Sequence, residues 1–494
     1  MTDAPHVPDA PGAPGAASAR IGVDDWVASH GERRGRRGGP FGRLRDELER
    51  VPRLGLYAAF GAAAAFVPLL TSNEYAVRVG FDTLIYMLLA LGLNVVVGYA
   101  GLLELGYVAF FGFGAYAYAM LASPKFDIHL ATPLVLLIAT FATAVLGLLV
   151  ALPSRRLIGD YLAIVTLFFG QFFVTVVNNG NRISALGQTR GYDVTGGPNG
   201  IADIDPFHVF GRDLIAVEGY YWAALAVFMV ALLAVYLLDL SRTGRAWRSL
   251  REDSLAAELM GMPVNRLKLL AFMVGAAIGG LAGTLFAALN TTVFAANFDT
   301  PTLIVVYAML ILGGAGSLGG VIVGAIVVNV SLELLRTPEK ATAVFYVLVL
   351  VALLVKLRPW RWLVGVLAGT VVFGLVVNAI VGAVWSSSGD GKPSIGGWIG
   401  SAIEHWVVLP GDARTFGKIA FLLLIGAVLG LTLISGVWQK LALIPTLYLS
   451  TVAWENLLVK EPSVTRLILV GVILIVLMNA RPQGLLGTAR VEIA

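Results

Sequence analysis

Apolar and polar positions alternate along the chain in blocks, with long apolar stretches separated by short polar ones. A helix needs about 20 apolar residues to cross a hydrocarbon layer ~30 Å thick. The stretches that approach this length lie near 54–70, 81–100, 101–121, 130–152, 157–177, 220–238, 269–289, 301–313, 320–335, 341–357, 362–385, 416–436, 441–458 and 466–480. We therefore predict an all-α polytopic membrane protein with about 12–14 transmembrane or re-entrant helices. The short stretches 301–313 and 320–335 flank a glycine-rich segment, so a broken helix there is as consistent with the sequence as two full spans.

Basic residues orient these helices, because Lys and Arg concentrate in cytoplasmic loops. Threading from a cytoplasmic N-terminus places one set of basic positions on a single side: Arg155, Arg156, the loop 239–268, Lys356, Arg358, Arg361, Lys440, Arg481 and Arg490. Both termini are then cytoplasmic, and the segments 178–219 and 386–415 are predicted external loops.

The sequence divides into four predicted regions. Residues 1–53 begin with a Pro/Ala/Gly-rich leader and continue into an arginine-rich stretch, which predicts a disordered basic cytoplasmic tail. Residues 54–335 are predicted to form a core of membrane helices that contains the loop 239–268. Residues 336–455 add further transmembrane helices of unknown role, and 456–494 supply a terminal helix and a cytoplasmic C-terminus.

Composition excludes several classes of function. With 57% hydrophobic residues, the chain is too apolar for a soluble protein. It has no cysteine, and its five histidines are scattered, so we predict no disulfide and no metal site. The positive net charge is not taken as a sign of nucleic-acid binding. Arginines cluster in the N-terminal tail before the first apolar stretch, where basic residues are expected to set the orientation of the helices.

The segment 244–268 is the most unusual in the chain, with eight charged side chains in 25 positions. Its good helix formers predict a short helix, and the sequence at 261–263, Gly-Met-Pro, predicts its end. Composition alone is equally consistent with a solvated connector and with a surface that binds a partner.

ATP binding by this chain is not expected. The stretch that comes nearest to a P-loop, residues 389–393, lacks the first glycine and has Pro393 where the motif requires Ser or Thr. We expect no cofactor on this chain. If transport is driven by ATP, a separate subunit must bind ATP-Mg.

Glycines at intervals of four predict close helix packing. Such intervals place the residues of each set on one helix face. The two sets are Gly275, Gly279 and Gly283, and Gly316, Gly320 and Gly324. A substrate path lined by bare backbone is the alternative.

Polar residues within apolar stretches suggest a path for a polar solute. Glu104 lies beside Gly106 and Tyr107, where a helix could break, and Gln171 lies in the middle of a segment. Hydrogen bonds between helices are the alternative. An external turn could hold an anion or dock a partner through Thr195, Gly196, Gly197 and Asn199.

Several motifs occur in one order along the chain, at 101–116, 161–167, 195–201, 244–268, 269–272, 312–320 and 481–487. Taken together, they resemble the LivM-type permeases of ABC importers for branched-chain amino acids. The chain departs from that pattern at Gln171, where the family usually has Glu, and by about 120 extra residues at 336–455.

The resemblance implies a permease subunit in the bacterial plasma membrane that moves branched-chain amino acids, or a related small polar solute such as urea or an amide. It also implies four partner subunits: a second homologous permease, two cytoplasmic ATPases and an extracytoplasmic solute-binding protein. The residues that would couple to the ATPases are Arg245, Arg248, Arg251, Glu252, Asp253, Ala256, Ala257 and Gly261. A secondary transporter driven by an ion gradient is the main alternative, and a passive channel or a scaffolding subunit is a third class.

Overall fold

The computed structural model describes residues 53–71, 73–154, 159–181, 193–209, 212–214, 216–357, 360–384, 392–480 and 484–486. Several predicted features lie outside these residues: positions 1–52 of the predicted tail 1–53, Arg155, Arg156, Arg358, Arg481, Arg490 and residues 389–391 of the stretch that resembles a P-loop. The chain forms two compact units, Met1–Phe66 and Val67–Ala494. The first is described only through the start of one helix.

Helices make up most of the described chain. They are α1 (Arg53–Leu70), α2 (Glu74–Leu93), α3 (Tyr107–Leu121), α4 (Thr132–Ser154), α5 (Asp160–Asn179), α6 (Val217–Leu240), α7 (Arg242–Glu252), α8 (Ser254–Leu259), α9 (Val264–Asn290), α10 (Thr300–Gly313), α11 (Leu318–Leu334), α12 (Pro338–Lys356), α13 (Trp360–Val384), α14 (Gly397–Trp406), α15 (Ala413–Leu433), α16 (Val437–Ala453) and α17 (Pro462–Ala480). Two π-helical segments, Asn94–Tyr99 and Trp454–Leu458, extend α2 and α16.

The predicted all-α membrane fold is confirmed. Within the described residues, nine helices are long and apolar enough to cross a membrane, and a tenth span forms if α11 and α12 count as one bent pair. The apolar helices Leu54–Leu70 and Tyr107–Leu121 are shorter. The range of about 12–14 therefore holds only when short and bent helices are counted with full spans. Among the described residues, α11 and α12 form a bent pair whose axes differ by 119°.

Four short strands interrupt the helices. β1 (Ala122–Ser123) pairs with β2 (Ile128–His129), and β3 (Phe207–Val209) pairs with β4 (Arg212–Leu214), both antiparallel. An isolated bridge joins Ile201 to Val293. Strands of two or three residues are too short to show an alternating pattern, so the sequence gives no sign of them.

Helix α9 packs in the centre of the described core, against α2, α3 and α4. Gly275 faces Gly92 and Val96 of the α2 segment, and Gly279 faces Tyr107 and Phe110 of α3. Gly283 lies directly against the backbone of α3 at Phe111. The missing side chains let these helix backbones approach closely, which is how small residues drive packing in lipid.

The second set of glycines is divided between a helix and a turn. Gly320 and Gly324 lie on α11 and face Gly313 and Met309 of α10. Gly316 precedes α11 and has a φ of +89°. The prediction of one helix face is therefore wrong for Gly316, because a residue with positive φ lies outside the helical conformation.

Residues beyond α11 form small cores of their own. Trp454 stacks on Phe345 with ring centroids 4.3 Å apart, and its Nε1 donates to Thr342 Oγ1 at 3.0 Å. Tyr448 and Ile403 belong to a second core cluster, and α17 packs against α10. The proposed boundaries at 336 and 455 remain predictions.

We predict that Gly283→Ala destabilises the protein by about 1–3 kcal/mol, because the added methyl group would overlap the backbone oxygen of Phe111. Gly319→Ala is the matched control, since nothing lies within 4 Å of the position a methyl group would take. The thermal unfolding midpoint of each variant in detergent is the measurement. Equal midpoints for the two variants would show that this contact does not hold α3 against α9.

Candidate functional site

The coupling segment, defined here as residues 241–261, folds as two helices and not as the single predicted one. Ser241 caps α7, where its Oγ accepts from the Thr243 and Gly244 amides at 3.1 and 3.4 Å. Asp253 has an extended backbone and caps α8, accepting from the Leu255 and Ala256 amides at 2.8 and 3.0 Å. A carboxylate that bonds the next turn's amides starts a new helix, so Asp253 separates α7 from α8. Gly261, with φ of +80°, follows the end of α8 at the predicted stop.

Trp247 anchors the coupling segment to the membrane core. Its side chain is fully buried, and its Nε1 donates to the carbonyl of Leu267 at the start of α9 at 2.9 Å. Leu250, one turn further along α7, is also buried. Neither residue was among the predicted coupling positions. The signal was present in the sequence, because Trp and Leu three residues apart in a charged helix mark a buried stripe.

Three of the predicted coupling arginines bind the permease itself. Arg245 donates to the Leu240 carbonyl at 3.0 Å, and Arg248 forms an ion pair with Asp239. Arg251 reaches further and donates to the carbonyls of Gly98 and, at 3.5 Å, Ala315. Among the remaining predicted positions, Glu252 and Ala256 are exposed and Ala257 is buried.

Three large apolar side chains are exposed on α8 and directly after its last residue, beside the exposed Glu258. Leu255, Leu259 and Met260 are 66%, 80% and 82% exposed. The charged residues around them keep this segment out of hydrocarbon, so the three side chains would face water if nothing covered them. A cluster of exposed large apolar residues marks an interaction surface.

Motifs that are far apart in sequence meet beside the coupling segment. The Asn94 side-chain oxygen accepts from the Gly316 amide at 2.7 Å, which joins the end of α2 to the turn between α10 and α11. The C-terminal residues Leu485 and Leu486 donate to the carbonyls of Leu312 and Gly313 at 2.9 and 3.1 Å. Parts of the motifs at 101–116, 244–268 and 312–320, and the described residues 484–486 of the last motif, therefore meet at one end of the core.

Glu104 lies in the non-helical loop 100–106 between the α2 segment and α3. Its side chain is buried, and neither carboxylate oxygen has a hydrogen-bond partner among the described residues. Its backbone carbonyl accepts from the Tyr307 hydroxyl, and the Leu105 amide donates to Thr166 Oγ1 at 2.9 Å. A buried polar group without a partner requires a water, an ion or a ligand, or marks a functional position.

Three more predicted path residues lie in or near this loop: Gly106, Tyr107 and Gln171. The Tyr107 hydroxyl donates to the Gly275 carbonyl at 3.3 Å, and Gly106 packs on the backbone of Thr166. The Gln171 amide donates to Asp299 and Thr300 at 3.2 and 2.8 Å. Gly106, Gln171, Asp299 and Thr300 line one small cleft between α3, α5 and α10. The structure therefore brings Gly106 and Gln171 to one cleft, and Gly106 is two positions beyond Glu104 in the sequence.

The turn at 195–200 belongs to a different part of the molecule. Thr195 Oγ1 donates to the Val177 carbonyl at 2.6 Å, and the Gly196 amide donates to Asp193 at 2.7 Å. Gly197 and Asn199 lie in the short 3₁₀ helix that follows. Val177 is eleven residues beyond Thr166 on α5, a separation of about 16 Å at 1.5 Å per residue. The turn and the Glu104 loop are therefore not one site.

Comparison with known proteins shows which family the chain belongs to. A family described as "Branched-chain amino acid transport system / permease component" matches residues 75–357, which is more than half of the chain. The chain belongs to this permease family. It is therefore a transport subunit and not an enzyme, as predicted.

Named relatives of this permease family include two components of one transport system. The chain is 38% identical over 302 residues to the high-affinity branched-chain amino acid transport system permease protein LivM of Escherichia coli (strain K12), covering 56% of this chain and 67% of that protein. It is 24% identical over 289 residues to LivH of the same organism, covering 54% and 88%. It is also 28% identical over 254 residues to the ribose import permease protein RbsC of Haemophilus influenzae, covering 50% and 73%. No solved structure matches the chain.

Two ion pairs connect the β1–β2 hairpin to the segment 193–205. The hairpin follows α3, at the end of that helix away from the coupling segment. Lys125 Nζ lies 2.9 Å from Asp193, the residue that also holds the Gly196 amide. His129 Nδ1 lies 2.5 Å from Asp205 Oδ2. The hairpin and the turn at 195–200 are therefore linked through side chains.

We predict that the His129–Asp205 pair makes stability depend on pH. The hydrogen bond and charge of Asp205 raise the pKa of His129 above its usual value. Stabilisation by the charged imidazole is then complete below about pH 6.5, the value for an unfolded chain, and is lost as pH rises through the raised value. The difference in thermal midpoint between the native protein and Asp205→Asn should shrink over that interval. A difference that is constant from pH 5 to pH 9 would contradict this prediction.

Proposed function

We propose that the chain is the permease subunit of an ABC importer that moves branched-chain amino acids, or a related small polar solute such as urea or an amide, into the cell. The observation that carries this proposal is the coupling segment. It is fixed to the core by Trp247 and presents Leu255, Leu259 and Met260 outward. Family membership and the names of the relatives support the same function.

The proposed assembly contains four partners. A second homologous permease pairs with this chain, as the relation to both LivM and LivH suggests. Two ATPases bind ATP-Mg and dock on the coupling segment, which lies on the cytoplasmic side of a bacterial plasma membrane. An extracytoplasmic solute-binding protein delivers the solute at the opposite end, near the turn at 195–200.

The proposed path passes the loop that carries Glu104 and the cleft lined by Gly106 and Gln171. A buried carboxylate without a hydrogen-bond partner is a suitable counter-ion for an ammonium group. The same observation favours the second candidate, a secondary transporter, in which Glu104 would bind the coupling ion. The two candidates differ in their energy source.

We predict that Leu259→Asp abolishes co-purification of P-loop ATPases with the permease, because a charge at a side chain that is 80% exposed would disrupt an apolar contact. The matched control is Leu130→Asp, an exposed position at the opposite end of the core. Affinity purification of tagged permease from its own membranes is the measurement. We expect ATPases with the native chain and with the control, and a loss of at least tenfold with Leu259→Asp.

The purification also separates the two candidate functions. Native permease that purifies without any ATPase, yet takes up solute when a proton or sodium gradient is imposed, would replace the importer by the secondary transporter. ATPase retained at the native level by Leu259→Asp would show that α8 is not the docking surface.

A further inference from the structure

Arg251 occupies a position that the other coupling arginines do not share. It lies in the last turn of α7, and its guanidinium leaves the coupling segment to donate to Gly98 and Ala315. Gly98 is near the end of the π-helical extension of α2, and Ala315 is in the turn between α10 and α11. One side chain therefore bonds two places where helices of the described core break.

Two glycines make room for this side chain. Gly101 has a φ of +69°, and a methyl group there would lie 2.9 Å from Arg251 Cγ. Gly316 has a φ of +89°, and a methyl group there would overlap the guanidinium. Both residues need a conformation that L side chains rarely adopt, and both lie against Arg251. The local backbone of the two breaks is thus shaped around this arginine.

The loop beyond Gly101 is also fixed at its other end. The Leu102 amide donates to the Val96 carbonyl at 3.0 Å, while Glu104 and Leu105 are held by Tyr307 of α10 and Thr166 of α5. Only two residues, Leu102 and Leu103, lie between Gly101 and Glu104. A displacement of Arg251 relative to the core would therefore be transmitted along a short, hydrogen-bonded backbone to the buried carboxylate.

We propose that Arg251 is the positioning residue through which movement of the coupling segment reaches the loop 100–106 and Glu104. This inference rests on the proposed function, because it assumes that an ATPase moves α7 and α8. It adds to that function the contacts through which a movement of α7 and α8 would reach the loop 100–106. The ATPase contacts Leu255, Leu259 and Met260, and Arg251 carries the displacement into the membrane core.

The neighbouring arginines cannot take this role. Arg245 and Arg248 bond to Leu240 and Asp239, which lie in α6 immediately before the coupling segment. Their bonds hold the segment to its own preceding helix and do not reach α2 or α10. Lysine is a poor substitute for Arg251, because a guanidinium has several fixed donors and an ammonium is a single compact charge.

The test uses the absence of cysteine from this sequence, because one introduced cysteine then gives one spin-labelled position on this chain. Leu103→Cys places a spin label in the loop 100–106 at a side chain that is 41% exposed. The label is followed in the complex purified with its ATPases, with and without ATP-Mg. The measurement is repeated in Arg251→Ala, in Arg251→Lys and in the matched control Arg242→Ala, at an exposed arginine in the first turn of α7.

We expect ATP-Mg to change the mobility of the label in the otherwise native complex and in Arg242→Ala. Arg251→Ala should keep its ATPases and continue to hydrolyse ATP, but lose the label response and about tenfold of solute uptake, because two charge-assisted hydrogen bonds are removed. Arg251→Lys should give an intermediate response. A merely structural role would not separate ATP hydrolysis from the label response in this way.

Two results would overturn the inference. The first is a label response to ATP-Mg in Arg251→Ala equal to that of the otherwise native complex. The second is loss of the ATPases from Arg251→Ala while Arg251→Lys behaves as native, which would make Arg251 part of the docking surface. Both results differ from the one that would contradict the proposed function. That function fails if native permease purifies without an ATPase in the purification experiment described above.

Discussion

Broken helices within an apolar core impose the constraint on which the rest of this structure depends. In hydrocarbon there is no water to bond the exposed amides and carbonyls of a break, so protein groups must do so. The breaks at 100–106 and 313–317 meet this requirement with side chains and backbone from distant parts of the chain. Asn94 bonds Gly316, Arg251 bonds Gly98 and Ala315, and the C-terminal Leu485 bonds Leu312.

This constraint explains why the coupling segment and the C-terminus lie at the same end of the core. α7 passes close to both breaks and supplies the charged donor, Arg251, to Gly98 and Ala315. Trp247 fixes the position of α7 against α9, and α9 in turn packs through its glycines against α2 and α3. Trp247, the two breaks bonded by Arg251, and α9 are therefore joined by a continuous series of contacts.

Much of this could be predicted from the sequence, because its signals are local. Apolar length gives the helices, and the Gly-Met-Pro sequence marks the end of the coupling helices where the structure has it. Asp253 was predicted as a coupling residue, but its role as a cap that divides α7 from α8 depends on backbone geometry. Gly316 followed the spacing of a helix face and yet lies in a turn. Spacing alone does not show whether a glycine is used for packing or for positive φ.

The contacts that join distant segments could not be predicted. Nothing in the local pattern connects Arg251 with Gly98, which is 153 residues away, or Gln171 with Asp299. The motifs 101–116, 312–320 and 481–487 occur in this order along the chain, but the order does not show which of them lie close together. Their meeting at one end follows only from the way α2, α10 and the C-terminus pack.

The energy source of transport tests the central claim most directly. The purified complex, reconstituted in liposomes with a solute gradient that opposes uptake, can be supplied with ATP-Mg at the coupling face or with a proton or sodium gradient instead. We expect accumulation of a branched-chain amino acid, urea or an amide with ATP-Mg alone. Accumulation by the permease chain without its ATPases, driven by an ion gradient, would contradict the account.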